Sequence, residues 1–163
     1  LKNKPTYSAD KLQALVEKVS LEDFGRPFMH RAIWNRRLRT TGGRFHSPSC
    51  KLDFNPRILD RYDEDLLIQV IRHELCHYHL YREGQGYRHG NWDFKELLKE
   101  VGGIDYVPDL LDPSERKLYY YRCQCCHQVY ERERRIVKSR IVCGLCLGGL
   151  VQVEGPEAGL KGS

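Results

Sequence analysis

No stretch of the 163 residues approaches the eighteen or so apolar residues that a membrane-spanning helix needs. A membrane-crossing chain is therefore not expected. The first ten residues, LKNKPTYSAD, are polar and lack the apolar core of a secretory signal. No internal repeat is present, and an even cysteine set of the secreted kind is missing as well. The chain has seven cysteines, and four of them form two CxxC pairs far apart. That pattern argues for metal binding in a reducing compartment rather than a disulfide framework, and the expected location is the cytoplasm. With 40% hydrophobic and 30% charged residues the composition is ordinary for a soluble domain. The length suits one domain, or a small domain followed by a mini-domain.

Acidic residues are nearly missing from one segment. Between residues 116 and 140 stand Arg116, Lys117, Arg122, Arg132, Arg134, Arg135, Lys138 and Arg140, opposed only by Glu131 and Glu133. These eight basic and two acidic residues give +6. The remaining 19 basic and 20 acidic residues give −1, so the whole net charge of +5 originates here. A basic excess confined to the C-terminal quarter points to a module that faces a polyanion.

The periodicity predicts helices first and last in the larger part of the chain, with strands between. Ser8 caps a helix whose Leu12, Leu15, Val16 and Val19 share one face, closed by Gly25 and Pro27. Ala32, Trp34 and Leu38, then Cys50, Leu52 and Phe54, fall on alternating or near-alternating positions around a turn at Gly42 and Gly43. They predict two or three short antiparallel strands. From residue 63 to 81 the spacing is helical, with Leu66, Leu67, Val70, Ile71 and Leu75 on a broad apolar face. Gly84 and Gly86 break that helix. Asn91 caps another, carrying Phe94, Leu97, Leu98 and Val101 and stopped by Gly102 and Gly103. Residues 107–113 read as a linker, followed by the β-prone pieces KLYYY, QVYE and RIVC. The expected class is α+β. The expected division is a core at 1–106, a linker and zinc ribbon at 107–153, and a disordered tail at 154–163.

The chemistry concentrates in HELCH, residues 73 to 77. His73 and His77 lie one helical turn apart on one face, so both imidazoles can reach a single Zn²⁺. Glu74 projects about 100° round the wheel, placing it for the water rather than the ion. A catalytic zinc keeps three protein ligands and one open position. His79 is about 200° from His77 and faces the wrong way. His89, reached through the glycine break and followed by Gly90, is the expected third ligand. Cys76 and Cys50 read as buried thiols, and His30 and His46 as solvated or core histidines without a nameable partner. Tyr87 is close to His89 in sequence, and no oxyanion-stabilising partner can be assigned.

A second site follows from Cys123, Cys126, Cys143 and Cys146. Their CxxC-x16-CxxC spacing matches a zinc ribbon, in which four thiolates close the coordination and the metal stabilises the fold. So short a segment buries too little apolar surface to fold alone. Cys125 and His127 are spare donors. Tyr119, Tyr120, Tyr121 and Tyr130, interleaved with the basic residues, suit phosphate contact and base stacking; the alternative is a solvated face with tyrosines packing the hairpin. Arg31, Arg36, Arg37, Arg39 and Arg44 form a second basic group.

WNRRLRTTGGRF (from Trp34), HELCHYHL (from His73), HGNWDF (from His89) and the C-terminal ribbon together resemble the SprT-like family, in particular compact bacterial members. The resemblance spans residues 12 to 150. It implies a zincin-like metalloprotease core followed by a zinc ribbon. Eukaryotic relatives, the Spartan proteases, cleave proteins crosslinked to DNA in a DNA-dependent way. Carried over by position, the resemblance implies His73, His77 and His89 as zinc ligands and Glu74 as the catalytic glutamate. Twelve positions separate His77 from His89, fewer than in the Spartan relatives, so the loop between them differs. The reading is a protease with one catalytic and one structural zinc, a protein substrate and a nucleic-acid partner bound through the ribbon. Its rival is a nucleic-acid-binding regulatory protein whose zinc-binding scaffold has little turnover. The intact Glu74 argues against the rival, because a scaffold needs no base beside the ion.

Overall fold

The computed structural model describes residues 7–137 and 141–156, and the expectation of a disordered tail falls largely outside them. The chain forms two compact units, Leu1–Leu111 and Asp112–Ser163. Residues 107–111 belong to the first, where Leu110 is fully buried. Among the described residues no helix is long and apolar enough to cross a membrane.

The first unit is built on a long helix laid against a small sheet. Helix α1 (Ala9–Phe24) starts where the Ser8 side chain accepts from Lys11 N, and ends at Gly25. There φ is 65°, a left-handed value that glycine adopts without a Cβ penalty. Strands β1 (Ala32–Trp34), β2 (Gly43–His46) and β3 (Lys51–Phe54) follow. Then come the short α2 (Arg57–Arg61), the long α3 (Glu64–Arg82) and α4 (Trp92–Val101). Helix α3 is capped by Asp63, whose carboxylate accepts from Leu66 N at 2.9 Å. Glu64 and Asp65 in its first turn and Arg82 in its last suit the helix dipole.

The sheet is mixed, which corrects the antiparallel expectation. Its order is β1-β3-β2: β2 pairs antiparallel with β3, with Phe45 opposite Leu52, while β1 pairs parallel with β3, with Ile33 opposite Asp53. The β2–β3 hairpin slots β3 against β1, so β1 and β3 run the same way. Alternation of apolar residues reports which face is buried and is silent on direction. Cys50 is also corrected: it is buried as expected, but in a left-handed turn (φ 58°) just before β3 rather than on the strand.

Two apolar clusters share α3. The larger joins Leu12 and Val16 of α1 to Leu52 and Phe54 of β3 and to Leu67, Ile71 and Leu75 of α3. The smaller sets Cys76 and Leu80 against Phe94 and Leu98 of α4. Buried on two sides, α3 is held at a fixed rotation, and that rotation decides where His73, Glu74 and His77 point.

The second unit is a three-stranded antiparallel sheet in the order β5-β4-β6 (Val129–Arg132, Tyr119–Cys123 and Leu150–Val153), preceded by a 3-10 turn at Pro113–Glu115. KLYYY and QVYE supply β4 and β5. Among the described residues of RIVC the pairing is an isolated bridge, Val142 to Gly149, and the third strand comes from the segment after the last cysteine.

Candidate metal centre

Helix α3 carries His73 and His77 on one face, and the Nε2 atoms stand 3.2 Å apart. His89 Nε2 lies 2.9 Å from the first and 3.1 Å from the second. Two of the rings are oriented from behind. His73 Nδ1 donates to Ile104 O at 2.7 Å, and His77 Nδ1 donates to Tyr87 O. A carbonyl only accepts, so each Nδ1 carries the proton and each Nε2 presents a lone pair. Burial lowers the pKa of His73 and takes that of His77 down to about 4, keeping both rings neutral.

The lone pairs of His73 and His77 face each other with no proton between them, and His89 Nε2 completes a triangle of nitrogens around a point where a cation fits. A tetrahedral zinc with nitrogen ligands has an edge of about 3.3 Å, from a Zn–N distance of about 2.0–2.1 Å. The nitrogen triangle fits that ion. The carbonyl partners are the outer hydrogen bonds that metal-binding histidines use. Among the described residues, two groups of three or more metal-ligating side chains converge, and this is one of them.

His89 arrives through a tied loop. Helix α3 ends at Arg82, and Gly84, with a left-handed φ of 69°, turns the chain back toward α4. Gly86 N donates to the Asp93 carboxylate at 2.9 Å, and Arg88 N donates to Asn91 Oδ1 at 3.0 Å. Asn91 precedes α4, as the sequence predicts for a cap, but its side chain makes no cap hydrogen bond and serves the His89 loop instead. Phe94 then stacks on His77 with ring centroids 4.4 Å apart and meets His73 and His89 edge-on. Its apolar ring forms one wall of the site.

Glu74 is 5% exposed. Burial pushes its carboxyl up to about 8, against the opposing pull of a hydrogen bond from the Phe45 backbone and the nearby Arg44 charge. Two cavities of about 750 and 560 Å³ meet at this point, both lined by Gly43, His73, Glu74 and His89. Together they make a cleft running past the histidines.

The remaining histidines and thiols lie elsewhere. His79 points away, toward α1, with Nε2 2.8 Å from Ser20 Oγ and its ring on Phe24. His30 and His46 each have a partner that the sequence does not reveal. His30 Nδ1 accepts from the Tyr78 hydroxyl at 2.8 Å, and His46 Nε2 sits 2.9 Å from Asp53. Cys76 is fully buried on the far side of α3, and burial raises its thiol above the usual range. Ile104 and Phe94 are the site residues missed by sequence reasoning. Only the glycines before Ile104 and the helical spacing of Phe94 hint at them.

In the second unit Cys123, Cys126, Cys143 and Cys146 converge. The two knuckles have the same hydrogen bonds. Cys125 N and Leu145 N each donate to the first cysteine's sulfur at 3.4 Å, and His127 N and Leu147 N bond back to Cys123 O and Cys143 O. Both His127 and Leu147 take positive φ, near 60°. Cys123 and Cys146 Sγ are 3.4 Å apart, and Cys126 and Cys143 Sγ 3.5 Å. The Tyr130 hydroxyl, 3.0 Å from Cys143 Sγ, is the main cause drawing that thiol down to about 6. Four sulfurs, one already favouring the thiolate, suit a closed zinc site. Cys125 stands outside the cluster and is exposed.

Two of the four tyrosines are structural. Tyr121 is 4% exposed and accepts from Ile136 N, and Tyr130 holds the second knuckle. Lys117 and Arg135 both approach Tyr119, their charges 5.6 and 5.9 Å from its ring centre.

Comparison with known proteins finds a match to the SprT-like family over residues 12–112. "Protein SprT-like" of Streptococcus pneumoniae (strain JJA) is 53% identical over 147 residues, 90% of this chain and 99% of that protein. "Protein SprT-like" of Streptococcus pyogenes serotype M18 (strain MGAS8232) is 52% identical over 142 residues, 87% of this chain and 97% of that protein.

Proposed function

The chain belongs to the SprT-like family, and on that premise we propose that it is a zinc-dependent endopeptidase acting on proteins bound or crosslinked to DNA. One observation carries the reading. Three histidine nitrogens converge beside the Glu74 carboxyl at the meeting of two cavities. A zinc ion bound by His73, His77 and His89 would polarise a peptide carbonyl and acidify a water. Beside the ion's charge the Glu74 carboxyl, which burial raises to about 8, would shift back toward the carboxylate, and Glu74 would then take the proton from that water and deliver it to the leaving nitrogen. The Phe45 backbone and Gly43 hold the carboxylate in place for both transfers. Strand β2, at the edge of its sheet, lines both cavities and offers an extended substrate segment a backbone to pair with.

The four thiolates of the second unit would hold a structural zinc with no open position. Free thiols persist in a reducing compartment, so a cytoplasmic location belongs to the same reading. The basic residues around the ribbon, with Tyr119 approached by two cations, support a nucleic-acid partner that would bring the protease to its substrates.

The test compares the zinc-loaded protein with its Glu74→Gln variant on DNA-binding proteins, with and without single-stranded DNA. Cleavage by the parent alone, increased by DNA, is the expected result. Equal inertness of both, with DNA binding intact, overturns the protease reading and leaves the binding protein.

A further inference from the structure

We infer that the cleft selects acidic polypeptide segments, with Arg44 and Arg88 along one arm and Lys95 and Lys99 along the other receiving Asp or Glu side chains. The inference rests on the protease reading for its chemistry and adds the class of substrate.

The smaller cavity forms the first arm, between β2 and the loop that carries His89, and Arg44 and Arg88 line it. The larger forms the second, and Lys95 and Lys99 line it from α4. Four residues apart, these lysines share one face of that helix. Both are exposed, and neither forms an ion pair among the described residues. Glu96 and Glu100 of the same helix do not line the cavity. Against four cations the lining sets one exposed carboxylate, Asp105, because Glu74 is buried and held by the Phe45 backbone. Like charges lining a concave, partly apolar cleft focus their field into it.

The second arm also has a shape that suits such a side chain. Val70, Leu98 and Val107 give it an aliphatic floor beneath the lysine rim. The methylenes of a glutamate would lie on that floor while its carboxylate reaches Lys95 or Lys99. Of Phe94 and Tyr106 in the same lining, Phe94 is buried with its ring against His77, and Tyr106, 88% exposed, is the one open to stacking. A single open ring beside an aliphatic floor suits a polypeptide better than a nucleic-acid strand, which is held by stacking successive bases. The selection also agrees with a substrate held on DNA. Basic segments of such a protein are engaged with phosphates, and acidic segments are repelled from them and left free to enter a protease.

The experiment uses the full chain loaded with zinc and two fluorogenic peptides of equal length, one with Glu and one with Lys flanking the cleavable bond. The same peptides are titrated into the Glu74→Gln variant to read binding without turnover. The Glu peptide is expected to lead by about tenfold in both kcat/KM and affinity, a lead that shrinks as salt rises from about 50 to about 500 mM. In Lys95→Glu/Lys99→Glu, with unchanged zinc content and circular dichroism, the preference inverts. If charge reversal disturbs α4, the milder Lys95→Gln/Lys99→Gln pair is expected to abolish the preference. Equal cleavage of both peptides, or a lead for the Lys peptide, overturns the inference and leaves the protease reading standing. No cleavage of either, with the Glu preference retained in binding, sinks the protease reading and supports the charge selection. A reversal that leaves the peptide preference intact but weakens binding of a single-stranded oligonucleotide assigns the lysines to nucleic acid and overturns the inference.

Discussion

Gly43 of β2 lies directly against Glu74 of α3, so that a Cβ added to the glycine would fall 2.8 Å from Glu74 Cγ and 2.9 Å from Oε1. Real side chains do not tolerate such distances, and its φ does not require glycine. The glycine is therefore there for space. Helix α3 packs against β2, and glycine at this point lets the carboxylate occupy the gap. Gly43→Ala is expected to push the Glu74 carboxylate off its position while sparing the three histidines. The kcat on a cleavable substrate should fall by about a hundredfold, the scale of a 1 Å misplacement, with zinc content unchanged. Undiminished kcat in a variant of normal zinc content would show that Glu74 does not depend on this glycine.

Much of this site was readable because it is written in side chains on a helix. Residues 73, 74 and 77 have fixed relative directions once the helix is recognised, and the glycines after α3 make His89 reachable. The supporting atoms were not readable for an equally physical reason. Ile104 and Tyr87 act on the histidines through backbone carbonyls, which every residue has. Asn91 was legible as a cap by residue type, yet its side chain accepts from Arg88 N, a donor that only the folded loop brings to it. The parallel pairing of β1 with β3 escaped since alternation encodes faces, not directions. Likewise the buried Asp53 looked like the polar position of an alternating strand, and only the fold brings Asn35 and His46 to it.

Asp53 makes a pH prediction. It is 2% exposed on the central strand. Burial alone would raise its pKa, but a hydrogen bond from Asn35 at 2.8 Å, with His46 Nε2 at 2.9 Å and the Lys51 charge at 3.6 Å, outweighs burial and lowers it. A carboxylate with a folded pKa below its unfolded value, about 3.9, stabilises the protein fully above that value. The contribution is lost as pH falls through the folded pKa. The melting temperature of the parent should therefore drop more steeply below about pH 4 than that of Asp53→Asn, which starts lower at pH 7. Parallel curves across that range would remove Asp53 from acid stability.

Asn91→Ala tests the loop that delivers His89. The variant loses the acceptor for Arg88 N but no residue of the nitrogen triangle, and it removes no cap hydrogen bond from α4. Zinc affinity of the first unit should fall by about tenfold, as when an outer partner of a metal ligand is removed. Competition with a chelator of known affinity measures it. Retained affinity with a lower melting temperature would make Asn91 a contributor to stability alone.

The two units should respond to metal removal in different ways. The first has its own core, with Leu12, Leu52, Phe54, Leu67, Ile71 and Leu75 all fully buried. In the second, the buried apolar positions among the described residues are Tyr121, Cys123 and Cys143, and two of these are cysteines of the sulfur cluster. Binding energy for a structural zinc is folding energy where so little apolar surface is buried. The intact chain should bind two zinc ions, and Cys143→Ser and His73→Ala/His77→Ala should each retain one. Chelation of the parent should abolish amide-exchange protection in β4, β5 and β6 while α1 and α3 remain protected. The opposite pattern, with the ribbon strands protected and α3 exchanging freely, would mean that the second unit folds without metal and that the first owes its stability to the histidine site.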